Sequence, residues 1–134
     1  MKYLLLLFVV IGFSCKKYEE DKYCLHLRTP ERRLFRAGWY QNGCYYLDGS
    51  GNYFPFVVAE PYDFKKDGTF TCKDPNIFGR YGHWQLTKSK TYLELTNDST
   101  GTVRSLKIFQ LDFNHMILHD DTLSYSLRTL DGEH

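Results

Sequence analysis

Few residues in this chain have the types and spacing that chemistry needs. His115 and His119 stand four apart, the spacing that brings two imidazoles to one metal ion on a helix. Met116, Ile117 and Leu118 between them read as strand. On a strand the same spacing separates the two rings by ~13 Å, too far for one ion. Solvated strand-end histidines are therefore the expectation. Asp48, Ser50 and Asn52 match the first three ligand positions of a calcium loop, but Tyr53 stands where that loop needs Gly and no closing Glu follows. The segment reads as a flexible loop. Gly49-Ser50-Gly51 lacks the spacing of a nucleophile elbow. Asn97-Asp98-Ser99 fits a glycosylation sequon and serves better as turn chemistry. Carboxylates are scattered at turns, so no acid–base pair stands out. The expectation is a protein with no catalytic residues, no metal and no cofactor, hence not an enzyme.

Aromatics are the feature that remains. The chain holds 11 Tyr and 10 Phe and is 17% aromatic, a composition that favours strands. Trp39 and Trp84 fall on inner faces of candidate strands, where large rings more often form core than a ligand platform. Tyr40, Tyr46, Tyr53, Tyr81 and Tyr92 fall on outer faces or loop edges and could stack on sugars. Cys24, Cys44 and Cys72 allow three pairings and leave one thiol over, and buried free thiols are the equal alternative. They form no zinc framework.

Where the protein works is written at its start. Lys2 is followed by an unbroken apolar run from Leu4 to Ile11, then Gly12, Phe13, Ser14 and Cys15. A basic start, a short apolar stretch and small residues before a cut make a secretory signal over residues 1–14. The run is too short to span a bilayer, which takes about 20 apolar residues. With Cys15 directly after Ser14, it resembles the signal of bacterial lipoproteins. That resemblance implies that Cys15 is lipidated, becomes the mature N-terminus and holds the protein to a membrane. A plainly secreted chain beginning at Cys15 is the alternative. Residues 15–28 read as a charged tether. The acidic run Glu19-Glu20-Asp21 resembles the tag that sends some Gram-negative lipoproteins to the outer face of the outer membrane.

Removing the signal leaves 120 of the 134 residues, enough for one domain. Net charge is +1, and Lys2 is the only charge lost with the signal, so the mature side chains balance. A balanced composition predicts no nucleic-acid footprint and no polybasic patch for anionic lipid.

The elements that must position the aromatics follow a period of two from Arg36 onward. Before them, Thr29 and Pro30 read as N-cap and first residue of a short helix that ends near Phe35. Strands are expected over Ala37–Leu47 (Trp39, Gly43, Tyr45 and Leu47 on one face), Tyr53–Ala59, Tyr62–Lys65, Thr69–Lys73, Tyr81–Thr87, Thr91–Thr96, Thr102–Leu111, His115–His119 and Leu123–Leu130. The apolar face of Thr102–Leu111 changes between Ile108 and Phe109, which predicts a bulge. About eight short strands joined by hairpin turns predict an all-β, antiparallel up-and-down barrel over residues 29–134, because closure removes the sheet's edges.

This pattern is similar to the lipocalin-like lipoproteins of bacterial envelopes. The likeness rests on the turn before Trp39, the hairpin Asp63-Phe64-Lys65-Lys66-Asp67-Gly68-Thr69-Phe70, and Gly82-His83-Trp84-Gln85-Leu86 followed by Tyr92-Leu93-Glu94-Leu95. Beyond these come a Leu118 strand and a closing strand from Leu123. It implies a helix closing one end of the barrel and a ligand cavity at the other. Eight strands leave an interior that side chains fill or that holds one small ligand. The expected pocket wall is Trp39, Phe64, Phe70 and Trp84, and a shallow pocket is favoured over a deep one. The expected partner is a small, mainly apolar molecule. A glycan or protein recognised through the outer tyrosines is the alternative.

Overall fold

The computed structural model describes residues 18, 28–51, 61–73 and 78–129. The expectations for the signal, for Cys15, for Cys24 and for the strand Tyr53–Ala59 lie outside them.

Helix α1 (Pro30–Leu34) forms where its signals predict. Thr29 is extended, and its Oγ1 accepts from the Arg32 N–H at 3.4 Å, while Pro30 takes a position whose N–H needs no partner. Strands β1 (Tyr40–Tyr46), β2 (Asp63–Phe64), β3 (Thr69–Thr71), β4 (Tyr81–Thr87) and β5 (Tyr92–Asn97) follow. Then come β6 (Val103–Leu111), β7 (His115–His119) and β8 (Leu123–Arg128). All eight join one antiparallel sheet in the order β1-β8-β7-β6-β5-β4-β3-β2. The sheet curls until its two edges meet, where Trp39 and Tyr62 exchange both backbone hydrogen bonds at 2.9 Å. This is the expected all-β, eight-stranded up-and-down arrangement.

Strand alternation decides what lies inside. On β4, Gly82 and Trp84 are buried while Tyr81, His83 and Gln85 are exposed, and on β5, Leu93 and Leu95 are buried. Phe64, Phe70 and Cys72 turn inward across the β2–β3 hairpin. Gly82 pairs with Phe70, and a Cβ on it would lie 1.8 Å from the Thr96 carbonyl oxygen and 2.9 Å from the Phe70 ring. Only glycine leaves room for that ring. The predicted bulge in β6 is present: the register shifts between Ile108 and Gln110, with Phe109 as the extra residue.

β1 departs from expectation. A second register shift between Gln41 and Gly43 changes its phase, so Trp39, Gln41 and Cys44 are the buried positions. Tyr45 and Leu47, expected beside Trp39, are each 44% exposed. The Tyr45 ring instead lies over Gly43, where a Cβ would sit 2.5 Å from it.

Helix α1 plugs one end of the barrel. Leu34 is fully buried, and its carbonyl accepts from Trp39 Nε1 at 2.8 Å. The buried Arg33 donates from Nη1 to the Leu111 carbonyl at 2.9 Å, and Lys90 Nζ reaches Glu31 at 2.9 Å. Within the stretch read as a tether, Tyr18 is buried and its hydroxyl donates to the Lys90 carbonyl at 2.8 Å.

Candidate functional site

An up-and-down sheet sorts its turns into two sets. The β2–β3, β4–β5 and β6–β7 turns share the end closed by α1. The β3–β4, β5–β6 and β7–β8 connections rim the other end, the mouth. A half-open cleft of about 260 Å³ lies there, against the inner face of β5 and β6. Leu95 and its register partner Arg104 supply that face, Phe78 covers it from the β3–β4 connection, and Asn97, Thr100 and Thr102 complete the rim. At ~30 Å³ per water, the cleft holds about nine waters, or a ligand of similar heavy-atom count.

Its walls are locked from behind. The Phe78 ring packs edge-on against Tyr125 (5.2 Å) and Tyr62 (5.3 Å), and its N–H donates to the Tyr62 hydroxyl at 3.0 Å. Gly79 has φ +91°, and a Cβ on it would lie 2.3 Å from the Asn97 amide. The Asn97 Oδ1 accepts from the N–H and hydroxyl of Ser99, so the sequon residues do serve the turn.

Among the described residues Arg104 is the one charged group in this lining, and it is held in place. Its Nη2 donates to Asp120 Oδ2 at 3.0 Å and to the Tyr125 hydroxyl at 2.6 Å, and that hydroxyl donates to Asp120 Oδ2 at 2.6 Å. Burial alone would raise the Asp120 carboxyl. The Tyr125 hydroxyl, the N–H groups of Thr122 and Leu123 and the Arg104 charge together hold it below the ordinary carboxylate range. Burial, and then the bond to Asp120, push the Tyr125 phenol upward. Cys44, paired with Tyr125 across β1 and β8, is a buried thiol that burial and the Asp120 charge push up to about 11. It stays protonated at neutral pH and is a poor nucleophile. The arrangement offers fixed hydrogen-bond donors beside an apolar wall, which suits binding.

The four expected wall residues occupy the packed interior. Phe64 meets Phe70 (6.1 Å) and Trp84 (6.2 Å, edge-on), and Trp84 Nε1 donates to the Lys65 carbonyl at 3.0 Å. Trp39 is held by Leu34 and linked to this group through Tyr62, whose ring stands 6.4 Å from Phe70. None of the four lines the mouth cleft.

Of the outer tyrosines, Tyr46 and Tyr81 are exposed and Tyr40 and Tyr92 half-buried, while Tyr53 lies outside the described residues. His119 stacks on Phe109 at 4.2 Å, and His115 Nε2 accepts from Arg128 at 2.7 Å. No group of three metal-binding side chains occurs among the described residues. Asp48 Oδ1 accepts from the Ser50 N–H at 2.8 Å, an ordinary turn. Cys44 and Cys72 are both buried and not joined to each other.

Sequence reasoning missed Arg104, Asp120, Tyr125 and Phe78. A signal for the first existed: Arg104 is in phase with Leu106 and Ile108, so alternation sends a charge toward the core face of β6. A charge there must find a partner or mark a site.

No protein-family profile matches this sequence, and no curated protein does. Solved structures do match in shape. A lipocalin-like protein from Bacteroides uniformis superposes with a TM-score of 0.54 at 20% identity, covering 73% of this chain and 99% of its own. An uncharacterized protein from Bacteroides eggerthii gives 0.53 at 21% identity, covering 69% and 97%. At such identities the likeness extends to the fold alone.

Proposed function

We propose that this chain is a non-enzymatic carrier or sensor that takes a small, largely apolar molecule into the mouth cleft, held to the bacterial outer membrane through lipid on Cys15. The lipocalin-like fold supports a ligand-binding barrel. The observation that carries the site is Arg104: half-buried, fixed by Asp120 and Tyr125, and set beside Phe78 and Leu95 in a cleft open to solvent. Asp120 neutralises its charge, so the favoured ligand is uncharged, with one acceptor for the guanidinium and an apolar body for the wall. The volume limits it to roughly ten heavy atoms.

Native mass spectrometry of the full mature protein, purified gently from its own cells, tests the reading. The expected result is a retained small molecule whose occupancy falls roughly 10- to 100-fold in Arg104→Gln, the loss of one charge-assisted hydrogen bond. A bound molecule that Arg104→Gln leaves in place would move the site elsewhere. Cell fractionation tests the anchor separately: wild type should need detergent for release, and Cys15→Ala should not.

A further inference from the structure

The mature side chains balance in charge, yet the fold sorts them. At the end closed by α1, Arg32, Lys65, Lys66, Lys88 and Arg128 are all exposed. Lys90 joins them, paired with Glu31. Beside them Phe113, 52% exposed at the tip of the β6–β7 turn, lies under the Arg36 guanidinium at 3.4 Å and near that of Arg28 at 5.9 Å. Among the described residues Glu31, Asp63, Asp67 and the buried Asp112 oppose them there, fewer than the cations. Among the described residues the mouth has the opposite balance, with Asp48, Asp98 and Asp121 exposed against Lys73 and Arg80. The absence of a polybasic patch, expected from composition, is thus corrected: strands that run up and down deliver their turn residues alternately to two ends, and the basic turns share one.

We infer that the closed end of the barrel is a membrane-facing surface that lies on anionic phospholipid headgroups and turns the mouth away from the bilayer. Each cation within a Debye length of an anionic bilayer adds attraction, and an aromatic ring flanked by guanidinium groups suits the headgroup layer. The chain's own path agrees. Tyr18 is fastened to Lys90 at this same end, and three residues back to Cys15 reach at most ~11 Å. A lipid on Cys15 would hold this end, not the mouth, against the membrane. That last step rests on the anchor proposed above; the charge argument does not.

The test uses the unlipidated chain from Cys15 to His134, which keeps every described residue. It is sedimented with vesicles of phosphatidylcholine alone and of phosphatidylcholine with phosphatidylglycerol. Binding is expected only with phosphatidylglycerol, and should vanish as salt is raised. The triple variant Arg32→Gln/Lys65→Gln/Lys66→Gln should weaken it by roughly 100-fold, while Lys73→Gln/Arg80→Gln at the mouth should not change it. Urea midpoints verify that both variants fold, and the salt series on the unaltered chain decides the matter if the triple variant does not. Equal binding to both vesicles, none to either, or equal loss from the mouth variant would overturn the inference. Because the probe carries no lipid, its failure would leave the Cys15 anchor untouched.

Discussion

Asp120 does two jobs from one position. Its Oδ1 accepts from the N–H groups of Thr122 and Leu123 and so ties the β7–β8 turn, while Oδ2 fixes Arg104 and Tyr125 at the cleft. Both jobs need the ionised carboxylate. Its folded-state pKa lies below the ordinary value, so its stabilisation is fully present above the unfolded value of about 4 and is lost as pH falls through the lower folded one. Asp120→Asn keeps the size but turns an N–H₂ group or a neutral oxygen toward Arg104. At pH 7 the variant should be less stable by about 1–3 kcal/mol. In urea unfolding at pH 7, 5 and 3, that gap should shrink toward the acid end. A gap that stayed constant would mean that the charge is not what stabilises the turn and the cleft.

The two bulges show how much of each strand is legible before folding. In β6 the apolar residues change phase, from Leu106 and Ile108 to Leu111, and only an extra residue reconciles them. In β1 no such break is visible. Tyr45 and Leu47 continue a plausible apolar face from Trp39, and the true inner residues include a glutamine, Gln41. The helix, the β2–β3 hairpin and all of β4 and β7 were readable because capping, turn chemistry and alternation agree there. The cleft was not, because it is assembled from Phe78, Leu95 and Arg104 on three separate segments and depends on how far the sheet curls. The β6 bulge can be tested by deletion. Without Phe109, Ile108, Gln110 and Leu111 become consecutive and still alternate in, out, in, matching their partners Leu118, Ile117 and Met116. The deletion forfeits the stack on His119 and some twist, and should cost no more than about 2 kcal/mol. Deleting Ser105, inside the regular part of β6, would instead send Arg104 outward and invert the strand before it against β5. That variant should fail to give a cooperative unfolding transition, whereas the Phe109 deletion should keep one.

Closure of the barrel joins the two ends of the chain. From β2 to β8 every strand pairs with its successor, but β1 must find β8, so Tyr40 meets Arg128 and Cys44 meets Tyr125 about eighty positions later. Loop closure over that span costs entropy that short hairpins do not pay, so pairing of β1 belongs late in folding. The opposite edge gives it little help among the described residues, since the residues just before β1 and β2 meet there at the single bridge Trp39–Tyr62. The β4–β5 hairpin is the contrasting case, with six register pairs and a short turn. Two buried truncations separate the stages. Leu93→Ala, in β5, should slow folding and change unfolding little, because its contacts are made at the rate-limiting step. Cys44→Ala, in β1, should leave the folding rate almost unchanged and accelerate unfolding, with a φ-value near zero. Stopped-flow chevrons of the two variants against wild type measure both. A high φ-value at Cys44 would mean that the seam closes early and that the hairpins assemble on a ring already shut.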